Sequence, residues 1–207
     1  EAFSRHPNIK MTAFAGGNPY ITTGRVRVIP EGVTEGMEML YVNADEDFLD
    51  LSGVKILAGR NFSKAVASDS VEAFILNETA VRHLGWDQNA PNSLDVAIGK
   101  TFIWQGGVQR TGKVIGVVEN FHTNSLHQAI APTFIAIRRE KLFGLFVKIR
   151  PGNLNETMLF LEKTWKTFVP NRSFEPHFVD EELNRMYASE KQLSQWFTLF
   201  FALTISI

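Results

Sequence analysis

The C-terminal end of the sequence places the strongest constraint on what this chain can fold into. Residues 196–207 carry no charge and consist mostly of large apolar side chains. A surface helix needs one polar face, so this run cannot be one. Twelve helical residues rise about 18 Å, less than the roughly 30 Å hydrocarbon core of a bilayer. The run is therefore a buried C-terminal helix or the first part of a longer membrane span.

The residues before this run favour the membrane interpretation. Asp180 is a candidate N-cap, and no proline or glycine interrupts residues 179–207. Apolar side chains recur at helical spacing: Leu183, Met186, Tyr187, Leu193 and Phe197. We expect one continuous, stiff helix that begins amphipathic and becomes apolar all round, as a helix does when it leaves a soluble domain for a bilayer. Residues 191–207 are then the start of a truncated transmembrane helix.

The composition is that of a globular protein without bulk attraction to polyanions. Apolar residues make up 44% of the chain, charged residues 21%, and the formal net charge is −1. Nucleic-acid binding is therefore not expected. The absence of cysteine excludes disulfides, cysteine-based zinc sites and cysteine nucleophiles. The first residue is Glu1 rather than methionine, and no signal peptide is visible. We therefore expect this sequence to be a piece of a longer protein.

Alternating apolar and polar residues predict several strands. In residues 9–15, Ile9, Met11 and Ala13 share one face. Further strands are predicted in "GRVRVIP", "GMEMLYV", "AFIL", "KTFIW", "GKVIGVV", "TFIAI", "LFGLFVKI" and "SFEPHFV". Gly106-Gly107 predicts a hairpin turn, and Gly116 a bulge or a close neighbour.

Three helices are predicted before the C-terminal one. "DEDFLDLSG" is capped by Asp45 and ends at Gly53, and "NETAVRHLG" is capped by Asn77 and ends at Gly85. "PGNLNETMLFLEKTWKTFVP" begins at Asn153 or Asn155 and ends at Pro170. Its predicted core-facing side chains are Leu154, Met158, Leu161, Trp165 and Phe168. With the strands before and after it, this helix predicts a strand–helix–strand unit.

The elements interleave without a repeat, which predicts the α+β class with two lobes. We expect residues 1–22 and 141–190 to form one discontinuous lobe, and residues 23–140 to form a second lobe inserted into it. The N-terminal strand should then share a sheet with residues 142–149 or 173–179.

No residue pattern indicates catalysis, a cofactor or a metal. The histidines are His6, His83, His122, His127 and His177. His122 and His127 are five apart, unlike the i, i+4 pair of a helical metal site. Ser125 lies between them, but no Gly-x-Ser-x-Gly motif is present. The carboxylates of "DEDFLD" and "DEEL" are expected at helix N-termini, and the glycines of "QGGVQRTGKVIG" in a hairpin. We therefore predict no catalytic, cofactor-binding or metal-binding residues and no enzymatic activity.

Several stretches, taken in order, resemble a known family. They are "YVNADEDFLDLSGVKILAGRNFS", "AFILNETAVRHLGW", "AIGKTF", "GKVIGVVENFHTNSLHQAIAPTFI" and "DEELNRMYASEKQLSQWFTLFFALTISI". Their sequence and spacing are similar to the MacB-like periplasmic core domain of FtsX-like ABC transporter permeases, especially the forms common in Bacteroidetes. The resemblance covers most of the chain from about Glu38 onward. The loop "DQNAPNSLDV" is longer than usual for the family.

The resemblance implies a permease subunit with four transmembrane helices, with this domain between the first and second. The domain would lie in the periplasm or outside the cell, on the inner membrane, as part of a permease dimer. A cytoplasmic ABC ATPase would bind the ATP, and the domain would transmit its motion to a transported substrate, an adaptor or a partner protein. Roles in the family include macrolide and peptide efflux, lipoprotein release and control of cell-wall hydrolases. The resemblance also implies that the discontinuous lobe is a membrane-proximal, porter-like βαβ lobe.

Two other classes of protein are compatible with parts of the sequence. A ligand-sensing domain between two spans of a signalling receptor would also leave by a long helix. The residues that follow position 207 discriminate, since a receptor continues into a signalling linker and a permease into two more spans. A free-standing periplasmic binding protein would not end in an apolar helix.

Overall fold

The computed structural model of the protein describes residues 2–16, 24–88, 93–122, 129–179 and 181. The chain divides into two compact units, Glu1–Met158 and Leu159–Ile207. The first unit contains all the described strands and most of the described helices.

The described elements confirm the α+β class. The strands are β1 (Ile9–Ala15), β2 (Arg25–Pro30), β3 (Met37–Asn43), β4 (Ile56–Gly59), β5 (Ala73–Asn77), β6 (Thr101–Gly106), β7 (Val108–Val118), β8 (Thr133–Ala136) and β9 (Gly144–Ile149). The helices are α1 (Phe48–Ser52), α2 (Asp69–Glu72), α3 (Glu78–His83) and α4 (Leu154–Phe168). The sequence analysis does not predict β4 and α2, which have four residues each.

Six strands form a closed sheet, the name used below for β2, β3, β5, β6, β7 and β8. Neighbours follow the order β7–β5–β8–β3–β2–β6, and β6 pairs in turn with β7. The pairs β3–β8 and β5–β7 are parallel, and the others are antiparallel. Closure removes the two free edges that an open sheet would expose. β4 extends the sheet by pairing with the second half of β7.

Aromatic side chains fill the core of the closed sheet. The ring of Phe134 lies 5.2 Å from Phe102, 5.3 Å from Trp104 and 5.8 Å from Phe74, measured between centroids. All four side chains are almost completely buried. Their tilted and edge-to-face contacts add stability beyond the area that they bury. The inward-facing side chains of the alternating strands thus form one aromatic core.

Asn77 connects β5 to α3 and to β8, as well as capping the helix as predicted. Its side-chain Oδ1 accepts hydrogen bonds from the Ala80 N–H at 2.9 Å and the Thr133 N–H at 3.0 Å. Its Nδ2 donates to the Ala131 carbonyl at 3.0 Å. Because Asn77 is fully buried, these three bonds satisfy polar groups that water cannot reach. α3 then ends before Gly85, whose φ of 66° is the left-handed conformation expected after a helix.

β7 is irregular at Gly116, which confirms the predicted bulge and close neighbour. In the β5–β7 pairing, Phe74 faces Val114 and Ile75 faces Gly116, so Ile115 is the extra residue. A Cβ at position 116 would lie 2.4 Å from the carbonyl oxygen of Arg60. Only glycine lets the chain leading out of β4 approach β7 this closely.

β1 and β9 form a separate two-stranded antiparallel sheet, called the ribbon below. Ile9 pairs with Ile149, and Ala15 pairs with Gly144. This confirms the predicted pairing of the N-terminal strand with residues 142–149. The assignment of residues 1–22 and 141–190 to one lobe and residues 23–140 to another stays a prediction.

α4 begins as predicted, with Asn153 Oδ1 accepting a hydrogen bond from the Glu156 N–H at 3.3 Å. The prediction of a buried face of five apolar residues is wrong at its ends. Leu161 is buried, but Leu154 and Phe168 are 44% and 62% exposed. Apolar spacing shows which face of a helix is apolar, but not how far along the helix that face is covered.

The predicted strand at residues 173–179 is not formed. Residues 173–178 have no regular secondary structure and most of their side chains are exposed. Pro176 has no N–H to donate to a sheet, which disfavours pairing at the centre of this stretch. The predicted strand–helix–strand unit therefore has its first strand and its helix but lacks the second strand.

The C-terminal helix and the truncated span at residues 191–207 lie outside the described residues, which end at Glu181. Within the described part of the chain, no helix is long and apolar enough to cross a membrane.

The structure predicts unequal effects for the two asparagine helix caps. Asn77→Ala should lower the free energy of unfolding by about 3 kcal/mol, because it removes a cap and leaves two further buried groups without partners. Asn153→Ala should lower it by only about 1 kcal/mol, since that cap is exposed. Urea denaturation followed by circular dichroism measures both values. Equal losses would contradict the role assigned to Asn77.

Candidate functional site at the joint between the ribbon and the closed sheet

The histidines noted in the sequence do not identify a metal site. Their positions are His6 before β1, His83 at the end of α3, His122 after β7 and His177 in the irregular stretch after α4. Within the described ranges, no group of three or more histidine, cysteine, aspartate or glutamate residues is arranged to hold a metal. His127 and Ser125 lie outside the described residues.

The glycine-rich stretch forms the predicted hairpin turn between β6 and β7. Pairing begins at Gly106 and Val108 and continues to Thr101 and Lys113. Gly107 has a φ of 70°, which glycine adopts without strain. No helix follows the turn, so its backbone N–H groups do not form the phosphate cradle of a strand–loop–helix motif.

A shallow cleft of about 350 Å³ lies beside α2, lined by Arg60, Asp69, Glu72 and Lys113 among others. The Arg60 guanidinium donates two hydrogen bonds to the Asp69 carboxylate, at 2.6 and 2.8 Å. These bonds hold the pKa of Asp69 below its usual range. The Ser63 N–H also donates to this carboxylate, at 2.9 Å. Arg60 and Asp69 thus already have hydrogen-bond partners within the protein. Their ion pair holds the loop between β4 and α2 in place.

The more distinctive arrangement is the joint, formed by residues 14–16 at the end of β1 and residues 43–45 at the end of β3. The Asp45 carboxylate Oδ2 accepts a hydrogen bond from the Phe14 N–H at 2.7 Å. The Asp45 N–H donates to the Phe14 carbonyl at 2.9 Å. One aspartate therefore satisfies both backbone groups on the outer edge of β1. Asp45 also accepts from the Asp47 N–H at 3.2 Å, which starts the turn into α1.

Backbone contacts continue the joint on the side of β3. The Gly16 N–H donates to the Asn43 carbonyl at 2.8 Å, and Ala15 and Ala44 form a single antiparallel bridge. A Cβ at Gly16 would lie 2.5 Å from the Lys141 carbonyl oxygen and 2.9 Å from the Asn43 Cβ. Small residues therefore allow three backbone segments to meet here.

A second hydrophobic cluster supports the joint. Ala13 and Ala15 of β1 pack with Val42, Phe48 and Ile135, and all five are buried. The cluster thus includes side chains from the ribbon, from α1 and from the closed sheet. On the other strand of the ribbon, the Lys148 ammonium donates to the Leu51 carbonyl of α1 at 3.0 Å. α1 therefore contacts both strands of the ribbon.

The electrostatics of the joint centre on Asp45. Burial raises the pKa of its carboxyl, as do the nearby charges of Asp47 and Glu46, while the Phe14 and Asp47 N–H groups oppose the rise. The neighbouring acids have cationic partners. Lys64 lies 2.5 Å from Asp47, and Arg139 lies 2.5 Å from the buried Glu46. Asp45 alone among these three acids is held by backbone N–H groups.

The predicted role of Asp45 as the cap of α1 is wrong. The residue before the helix is Asp47, whose side chain makes no capping hydrogen bond. The Asp45 carboxylate accepts from the Asp47 N–H in the turn before the helix and also from the backbone of β1, 31 positions earlier in the chain. The predicted end of the helix at Gly53 is confirmed, with a φ of 79°. Three consecutive acids follow a buried strand in the sequence. This pattern does not show that one of them binds β1, because that contact depends on how distant segments of the chain pair.

Comparisons with known proteins give a likeness of fold rather than of sequence. No protein-family model matches the sequence, and no curated protein matches it. Among solved structures, 24 chains do match, and they include the following three.

The first is a domain of a proposed permease protein from Porphyromonas gingivalis, 20% identical, with a TM-score of 0.54 over 84% of this chain and 69% of that one. The second is the periplasmic region of MacB from Actinobacillus actinomycetemcomitans, 17% identical, with a TM-score of 0.56 over 89% and 78%. The third is the extracellular domain of the noncanonic ABC-type transporter YknZ from Gram-positive bacteria, 10% identical, with a TM-score of 0.53 over 82% and 79%.

The chain has the fold of a MacB-like periplasmic domain. At these identities the likeness establishes the fold. The comparisons agree with the resemblance drawn from the sequence.

The structure predicts a difference between two neighbouring aspartates. Asp45→Ala should lower the free energy of unfolding by about 2 kcal/mol, because the Phe14 and Asp47 N–H groups lose their acceptor. Asp47→Ala should cost less than about 1 kcal/mol, since it removes only an exposed ion pair with Lys64. Chemical denaturation of both variants measures the difference. A larger loss for Asp47→Ala would contradict the assignment of the joint.

Proposed function

We propose that this chain is the extracytoplasmic domain of an ABC transporter permease subunit, which couples cytoplasmic ATP hydrolysis to export or to a periplasmic partner. The observation that carries the proposal is the likeness in fold to three domains of transporters or permeases, each covering more than 80% of this chain. Two of the three come from proteins described as MacB and as an ABC-type transporter.

The joint gives this function a physical route. In a permease that places the domain between two spans, motion from the membrane reaches the domain through the segments next to β1 and after β9. These strands pair with each other, so the ribbon receives the displacement first. To reach the closed sheet, the displacement must cross the contacts at Asp45, Gly16 and Ala15. Short, buried hydrogen bonds and a shared cluster make such a contact stiff.

Several further features belong to the proposal. The domain itself performs no catalysis and holds no cofactor, and ATP binds to a separate cytoplasmic ATPase domain or subunit. The partners are that ATPase, a second permease subunit and a substrate or adaptor outside the membrane. The domain lies in the periplasm or outside the cell, attached to the inner membrane through flanking helices. Efflux and dimer formation are further expectations of the same kind.

A ligand-sensing domain of a signalling receptor is the alternative. It would bind its ligand in a pocket, and the cleft beside α2 is the main candidate described above. The charged pair in that cleft is already satisfied internally, which favours the transporter interpretation over the sensor.

The absence of cysteine makes a direct test of location possible. In the full-length protein, with any cysteine outside these 207 residues replaced by serine, Glu35→Cys places one exposed thiol in the domain, and Ala80→Cys places one in the core as a matched control. In intact cells, a membrane-impermeant maleimide should label position 35 and leave position 80 unlabelled. Labelling of position 35 only after lysis would contradict the extracytoplasmic location.

The same full-length protein tests the identity of the partner. Purified from membranes in mild detergent, it should retain an ABC ATPase, identified by mass spectrometry. ATP hydrolysis by the complex should be lost when the Walker A lysine of that ATPase is replaced. Recovery of a histidine kinase or its signalling linker, with no ABC ATPase, would support the receptor alternative and contradict the proposal.

A further inference from the structure

We propose that Asp45 makes the joint between the ribbon and the closed sheet sensitive to pH, with the joint held more tightly when this carboxyl is neutral. The proposal concerns a property of the folded domain itself. The test measures the joint directly, so its result does not depend on the proposed transport function.

The geometry places one ionisable group where two parts of the fold meet. The Asp45 carboxylate lies between the edge of β1 and the start of α1, and the whole residue is only 8% exposed. Separation of the ribbon from residues 43–45 would break the Phe14 hydrogen bonds and expose this carboxylate to water. The open and closed joint therefore present two different environments to the same group.

The charges that face Asp45 come from four segments. Asp47 and Glu46 follow it directly and disfavour its ionised form. Lys64, from the loop after β4, is paired with Asp47 and also interacts with Asp45. Arg139, after β8, is paired with Glu46. Lys148, on β9, donates its hydrogen bond to a carbonyl of α1 rather than to Asp45. These three cations thus have other partners.

The sign of the effect follows from linkage. In the closed joint, burial is the main cause that raises the pKa of Asp45 above its ordinary value, with the charges of Asp47 and Glu46 adding to the rise. In an open joint the carboxyl is hydrated, so the part of the rise in pKa that burial causes is lost. Protonation therefore favours the closed joint. The added stability is complete below the ordinary pKa of aspartate and is lost as pH rises through the raised pKa.

The test measures amide hydrogen exchange by NMR on the full 207-residue chain in detergent micelles, from about pH 4 to pH 8. Rates are divided by intrinsic rates, so that the protection factor reports opening. The probe is the Phe14 N–H. The internal reference is the Leu40 N–H of the closed sheet, which donates to the Pro132 carbonyl at 3.0 Å.

As pH falls, the protection factor of Phe14 should rise at least about twofold. The protection factor of Leu40 should stay constant. Asp45→Asn keeps an oxygen acceptor for Phe14 but cannot ionise, so its Phe14 protection should not depend on pH. Asp47→Asn is the matched control. It removes a repulsive charge and should keep the rise while moving its midpoint to lower pH.

Three results would overturn the proposal. The first is a Phe14 protection factor that does not change with pH. The second is an equal rise in the Asp45→Asn variant, which would show that another group titrates. The third is an equal rise at Leu40, which would show that pH acts on the whole fold rather than on the joint.

Discussion

The hydrogen bonds between Asp45 and Phe14 are the interaction on which this structure depends. Without them, the N–H and carbonyl of Phe14, on the outer edge of β1, would lose their partners within the protein. A side-chain carboxylate and a backbone N–H from one residue satisfy both groups. This lets a two-stranded ribbon, which is marginal by itself in water, attach to a sheet that has already closed on itself. The ribbon thereby shares a hydrophobic cluster with the closed sheet.

Closure of the six strands explains why the attachment has this form. Closure leaves little free strand edge, and β4 already pairs with the second half of β7. The ribbon therefore cannot join by ordinary strand pairing over its length. Among the described residues, it contacts the closed sheet through the bridge between Ala15 and Ala44, the hydrogen bond from Gly16, the hydrogen bonds of Asp45 with Phe14 and the shared hydrophobic cluster. These specific contacts define how the two parts are held.

The sequence predicts local structure well and the joint poorly, for a physical reason. The helix cap of Asn77 and the left-handed positions Gly53 and Gly85 act on neighbours within a few residues, so these roles follow from propensity and turn chemistry. Asp45 acts on a residue 31 positions away, and local rules assign it to the nearest helix. Residues 173–178 show the opposite kind of error, a strand that the sequence predicts and the structure does not form. An apolar stretch with the right composition forms a strand only if a partner edge and suitable donors exist, and Pro176 removes one donor.

The proposed function requires that the ribbon and the closed sheet move as one body. Spin labels on Lys10→Cys in β1 and Gln109→Cys in β7 would report this directly, because both positions are exposed and these 207 residues contain no cysteine; any cysteine elsewhere in the full-length protein is replaced by serine. Pulsed electron paramagnetic resonance on the full-length permease with its ATPase measures the distance between them. The account predicts one narrow distance distribution that is unchanged by ATP and that broadens when Asp45→Ala is added. A distribution that shifts or broadens on addition of ATP alone would contradict it.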